Sequence, residues 1–135
     1  MKKLFLLATT LPVLFLMTGC GKDENNAPPA DLPANITITE PTAGVTYING
    51  STIQVRGNVT DNNVLASARV EIKNNSTNAV MYQQNQSTGN VTYFDLNWNW
   101  TVAGISSTVN ATIKITVTDK AGYQASKEIA IVLTD

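Results

Sequence analysis

From about residue 34 onward, apolar and polar residues alternate in short runs. Ile36 and Ile38 open the series, followed by Ile53, Val55 and Val59, then Ala66, Ala68, Val70 and Ile72. A period of two is the mark of a strand with one face buried. Phe94, Leu96, Trp98 and Trp100 alternate with Asp95, Asn97 and Asn99 in the same way, and Val109, Ala111, Ile113, Ile115 and Val117 follow. The last run carries Ala125, Ile129, Ile131 and Leu133 on one face, and a weaker run covers Val80 to Gln84, so seven strands are expected. Turn-forming clusters separate them at Thr42-Ala43-Gly44, Asn49-Gly50, Asp61-Asn62-Asn63, Asn74 to Asn78, Ser87 to Asn90, Gly104 and Asp119 to Gly122. Short strands at this spacing, with no helical period among them, predict a seven-stranded antiparallel β-sandwich.

The first 33 residues follow another pattern. Lys2 and Lys3 precede a mostly apolar block from Leu4 to Met17, shorter than the roughly 20 residues a membrane-spanning helix needs, so a secretory signal is the expected reading. The block ends at Met17-Thr18-Gly19-Cys20, and Cys20 is the chain's one cysteine. A solitary cysteine cannot form an internal disulfide, and exported chains seldom keep a free thiol; the alternative is a free or core cysteine in an uncut chain. Residues 21–33, GKDENNAPPADLP, combine charge, amides and three prolines, a composition that buries too little apolar surface to fold alone. As a tether they would hold a domain at most about 45 Å from the membrane. The expected organisation is thus an amino-terminal signal, a flexible linker up to residue 33, and one sandwich domain over 34–135.

The four residues Met17, Thr18, Gly19 and Cys20 resemble the lipobox of bacterial lipoproteins, although leucine is usual where Met17 stands. The resemblance implies that the Cys20 thiol receives a diacylglycerol and that the Gly19–Cys20 bond is then cut, which divides the chain into a signal peptide, 1–19, a lipidated cysteine and flexible linker, 20–33, and the sandwich domain, 34–135. The chemistry is sound, since two acyl chains anchor a protein stably where one does so only marginally. Lys22, Asp23 and Glu24, close behind the cysteine, look like the surface-export signal of Bacteroidota lipoproteins; their alternative is a plain solvated tether, which leaves the protein on the periplasmic face. The stretches VTDNNVLASARVEI and IKITVTDKAGYQASKEIAIVL resemble bacterial immunoglobulin-like and fibronectin type III-like modules, in the T-D turn after the second strand and the D-x-x-G hairpin joining the last two. That order would put the first strand's start, Asp61 to Val64 and Asp119 to Gly122 at one pole, and Asn49-Gly50, Asn74 to Asn78, Gly104 to Ser107 and the carboxyl terminus at the other.

Composition narrows the chemistry. The chain carries a net charge of −1, and loss of Lys2 and Lys3 with the signal leaves seven basic residues against ten acidic, about −3. It therefore has no basic footprint for nucleic acid, and its expected membrane contact is the lipid on Cys20. No histidine is present, so the serine and cysteine triads that rely on histidine as base are excluded, as is any histidine-based metal role. Glu40, Asp61, Glu71, Asp95, Asp119 and Glu128 lie in turns or on polar strand faces and are expected to be solvated rather than paired for glycoside hydrolysis. Asp61, Asn62, Asn63 and Asp119 offer oxygen ligands of the kind calcium takes, but the same residues shape their own turns, so no metal and no cofactor are expected. Nine Asn-x-Ser/Thr triplets, in a chain whose signal reads as bacterial, are by-products of polar strand faces.

Tyr47, Asn49 and Trp100 form the candidate ligand site, with an extracellular glycan or protein as the expected partner. Tyr47 precedes the Asn49-Gly50 turn, Trp100 is expected at the same end of the sandwich, and aromatic rims suit sugars and chains. Core-edge packing is the competing explanation, since Trp100 shares the phase of Phe94 and Leu96. Two functions stay open: a non-enzymatic surface lipoprotein whose sandwich binds, adheres or spaces, and an accessory subunit of a glycan-processing complex or a small hydrolase.

Overall fold

The computed structural model describes residues 30–135. Cys20, Lys22, Asp23 and Glu24 lie outside the described residues, as does the signal. Eight strands occur in the order β1 (Asn35–Glu40), β2 (Thr46–Ile48), β3 (Thr52–Thr60), β4 (Leu65–Asn74), β5 (Val80–Ser87), β6 (Tyr93–Thr101), β7 (Val109–Asp119) and β8 (Gln124–Thr134). They form a three-stranded sheet, β1-β3-β6, facing a five-stranded sheet, β2-β8-β7-β4-β5. Among the described residues no helix is long and apolar enough to cross a membrane.

The alternation of the sequence becomes the space between the sheets. Ile53, Val59, Leu65, Val70, Ile72, Ile113, Ile115 and Leu133 are fully buried there, with Trp98 and Leu96 nearly so. Removing a side chain of this size from water contributes about 1.5–3 kcal/mol, which is how apolar packing holds the sandwich together without a disulfide. Val102 and Ile105 join the core from the segment after β6, where no strand pattern announces them.

The eighth strand is β2, between the Thr42-Ala43-Gly44 and Asn49-Gly50 turns, where no strand was expected. β1 ends at Glu40 because Pro41 has no N–H to offer the ladder. The chain then crosses to the opposite sheet, where Gly44 N donates to Ala130 O at 2.8 Å, and β2 pairs with β8. That pairing is parallel, so the sandwich is antiparallel everywhere except at this edge. A second departure lies at the start of β4. A register shift between Leu65 and Ser67 turns Leu65 into the core and leaves Ala66, expected in the buried phase, only half-buried. One extra residue in a bulge reverses the faces on either side of it.

Strand directions fix the two poles. Asn35 opposes Thr60 at the start of β1, Leu65 N donates to Val91 O at 2.8 Å, and Lys120 N donates to Val64 O at 2.9 Å, which gathers the amino-terminal end with the 61–64, 88–92 and 120–123 loops. At the opposite pole Gly50 N donates to Val102 O and Asn75 N to Asn110 O, each at 2.9 Å, joining the 49–51 turn to the 102–108 segment and the 75–79 turn to the start of β7.

Candidate functional site

Three regions carry the side chains from which a function can be built. At the amino-terminal pole the loops are held by their own acids and amides. Asp61 Oδ1 accepts the Asn63 amide at 2.9 Å, and Asp119 Oδ1 accepts the Tyr123 amide at 2.8 Å. Asp119 is only 4% exposed, a correction to its expected solvation, and its Oδ2 is buried with no hydrogen-bond partner among the described residues. The carboxylate lies inside because the Asp119 amide donates to Tyr123 O at 3.1 Å, which closes the hairpin over it. Among the described residues no group of three or more His, Cys, Asp or Glu is placed to hold a metal ion. Asn62 has a different task. Its Nδ2 donates to Ala30 O at 3.0 Å and its Oδ1 accepts from Leu32 N at 3.3 Å, so the last residues of the segment read as a linker are fastened to this pole.

At the opposite pole the structure separates the three residues of the candidate ligand site. Asn49 uses its whole amide on one neighbour: Nδ2 donates to Ile105 O at 2.6 Å, and Oδ1 accepts from Ile105 N at 3.1 Å. This two-point clip fixes the Gly104–Ile105 loop. Tyr47 is half-buried on β2, and burial, with the charge of Glu40 beside it, pushes its hydroxyl above the ordinary value. Trp100 is also half-buried, opposite Ile53, and stacks on Tyr82 of β5 with ring centroids 5.8 Å apart. Tyr47 sits on one edge strand of the five-stranded sheet and Tyr82 on the other, with β8, β7 and β4 between them. Four strand spacings make that about 19 Å, so Tyr47 and Trp100 share a pole but not a cluster. Tyr82 is the partner that sequence reasoning missed; its signal was a phase shared with Ile72 on the neighbouring strand.

The third region is the outer face of the five-stranded sheet. Glu71, expected in solvent, is only 7% exposed although it points outward. Arg69 and Lys73, two residues away on the same face of β4, close over it, and Lys73 Nζ lies 2.8 Å from Glu71 Oε1 while Arg69 pairs with Oε2. The hydrogen bond from Lys73, and then that from Arg69, hold the carboxyl below its ordinary value despite the opposing effect of burial. Arg69 also donates to Gln83 Oε1 of β5 at 2.7 Å, and Lys114 of β7 reaches Glu128 of β8 at 3.3 Å. Around this network, with Asn85, Thr116, Thr118 and Gln124, runs an open depression of about 410 Å³. Its walls offer amides, hydroxyls and cations, the chemistry of hydrogen bonding and ion pairing rather than of nucleophilic attack.

A similar architecture occurs in a known protein. Spo0M, a sporulation control protein from Bacillus subtilis, superposes with a TM-score of 0.50 at 10% identity, over 76% of this chain and 49% of that one, and this likeness concerns the fold alone. Fibronectin(III)-like modules of Clostridium thermocellum CbhA align with a TM-score of 0.49 at 19% identity, over 74% of this chain and 96% of that one. No curated protein matches the sequence. The family model described as Bacterial Ig domain matches residues 35–117, from the first residue of β1 almost to the end of β7. With that stretch matched and its strands folded into two facing sheets, the chain belongs to the bacterial Ig domain family.

Proposed function

We propose that this chain is a bacterial lipoprotein, anchored to the outer membrane by lipid on Cys20 and displayed at the cell surface, whose sandwich is a non-enzymatic module for adhesion, binding or spacing. One observation carries the reading: the Asn62 amide ties residues 30 and 32 to one pole, so whatever holds the amino-terminal side of the chain holds the sandwich by that pole. The 75–79 turn then projects outward by the length of the strands, about 36 Å for an eleven-residue strand such as β7. The Thr18-Gly19-Cys20 border supports lipid as the holder, and Lys22, Asp23 and Glu24 support passage to the outer face.

The outer face of the five-stranded sheet favours a second reading, an accessory subunit that holds glycan for a processing complex, because its depression is lined by amides, hydroxyls and cations. A glycan array probed with the mature chain tests this second reading, which the lack of any bound glycan refutes.

Metabolic labelling with an alkyne fatty acid tests the anchor. The parent chain takes up label, and Cys20→Ser takes up none and stays uncut. Equal label in both refutes the lipoprotein reading. Replacing Lys22, Asp23 and Glu24 together by alanine tests the export signal. The lipidated variant is expected on the periplasmic face, and unchanged surface exposure leaves the three residues as tether only.

A further inference from the structure

The free edges of the two sheets are not alike. β2 is three residues long, too short to template another strand. β1 stops at Pro41, and its Ile36 carbonyl accepts Lys127 Nζ at 3.0 Å. β6 faces β5 across the sandwich, and its Asn99 carbonyl accepts the Tyr82 hydroxyl at 3.4 Å. β5 is different. Its eight residues, VMYQQNQS, include no charge and no proline, and Gln83 to Ser87 are all exposed. Its one register irregularity lies at its start, opposite Ile72 and Lys73. Natural sheets protect long free edges with lysine, proline, bulges or covering loops, and from Tyr82 to Ser87 this edge has none of them.

We propose that β5 is a self-recognition edge, which pairs with β5 of a second copy and joins two five-stranded sheets into one of ten strands. The chemistry of the edge selects a copy of itself. Gln83, Gln84, Asn85 and Gln86 are four consecutive amides, each both donor and acceptor, so identical amides brought opposite one another can bond. Pairing brings no like charges together. If directly opposed, Arg69 and its copy stand three strand spacings apart, about 14 Å, beyond the roughly 8 Å over which physiological salt screens charge.

Two-fold symmetry gives this contact a direction, and here the inference rests on the lipoprotein reading above. A two-fold axis perpendicular to the sheet makes β5 and its copy antiparallel. The two anchored poles then lie at opposite ends of the dimer. With the strands upright on the membrane, as the display reading has them, both copies share one membrane only if one tether runs back along a whole domain. The ten residues from Cys20 to Pro29 reach at most about 36 Å, which leaves no slack against a strand length of about 36 Å. Two facing membranes accommodate the dimer without that demand. The edge therefore serves homotypic contact between cells.

Cysteine scanning in the full chain tests this, because a lipid-bearing Cys20 leaves the introduced thiol as the reactive one. Cells carrying Val80→Cys, Tyr82→Cys, Gln84→Cys, Gln86→Cys or Ser87→Cys are mildly oxidised, with the parent chain and Thr39→Cys on β1 as controls. Disulfide-linked dimer is expected to peak at one position between Tyr82 and Gln86, the one nearest the axis, and to fall off toward both ends. No dimer at any β5 position, or as much from Thr39→Cys, overturns the pairing. Gln86→Lys changes one exposed position; with Asn85→Cys as reporter it is expected to cut dimer yield severalfold with an unchanged melting temperature, since like charges then face each other across the paired edges. Mixing two cell populations with differently tagged chains reads the direction. Dimers carrying both tags support contact between cells, whereas dimers confined to chains made in the same cell overturn it. Repeating the scan in extracts of the Cys20→Ser variant separates the two readings: dimer there, with none between mixed cells, upholds the edge and refutes the display.

Discussion

The indole of Trp100 and the ring of Tyr82 stack across the gap between the two sheets, with their planes inclined by 21° and their centroids 5.8 Å apart. β6 is an edge of one sheet and β5 an edge of the other, so this pair closes one side of the sandwich near the pole opposite the start of β1. Trp100→Ala is expected to lower stability by about 2–3 kcal/mol, less than a fully buried tryptophan would, because the ring is half-buried. Tyr82→Ala should cost less again. In urea melts a double-mutant cycle is expected to give a coupling of about 0.5–1.5 kcal/mol, the range for aromatic pairs; zero coupling means that the two rings only share a location.

Glu71 gives the sheet a pH-dependent term. Its carboxyl lies below the ordinary value of 4.5 in the folded state, chiefly through Lys73, so the folded state binds its proton less readily than the unfolded chain does. The stabilisation is complete above about pH 4.5 and is lost as pH falls through the depressed folded value. Glu71→Gln is expected to cost about 1–2 kcal/mol at neutral pH and to flatten the acid limb of a stability–pH curve. A parent and variant that lose stability in parallel as pH falls would show that Glu71 contributes nothing to that limb.

Gly57 is a point of close approach. It pairs with Ile38, its φ is +155°, and a Cβ there would fall inside the contact distance of the Thr37 carbonyl oxygen. A backbone oxygen cannot swing aside as a side chain can. Gly57→Ala is therefore expected to lower stability by about 2–3 kcal/mol and to expose β1 amides to hydrogen exchange before those of β7. Uniform protection of the two strands would place the strain elsewhere.

The period of two was readable where a strand keeps one face in the core, as in β7: Ile113 and Ile115 are fully buried and Lys114 and Thr116 face outward, as alternation requires. The arrangement of loops at the two poles was readable too, since every turn reverses the chain except the crossing from β1 to β2. What failed to show has a common cause. Ala66 and Leu65 exchange roles through a bulge, and one inserted residue leaves no mark in a pattern of apolar residues. β2 owes its place to a backbone bond from Gly44 to Ala130, which no side chain announces. Glu71 reads as one more acid on a polar face, because its burial comes from Arg69 and Lys73 folding over it. Tyr82 meets Trp100 only once two sheets face each other, a relation between strands that the pattern of either strand alone does not contain.

Surface display by way of Cys20 is the claim on which the functional reading turns, and one labelling measurement bears on it directly. Ser76 is exposed in the turn between β4 and β5, at the pole away from the residues fastened by Asn62. In the full chain carrying Ser76→Cys, a membrane-impermeant maleimide applied to intact cells is expected to label that thiol, with the labelled protein remaining in the membrane fraction. Adding Cys20→Ser is expected to abolish labelling of intact cells. A Ser76→Cys thiol that reacts only after the outer membrane is permeabilised, or that reacts equally well with Cys20→Ser present, contradicts the account.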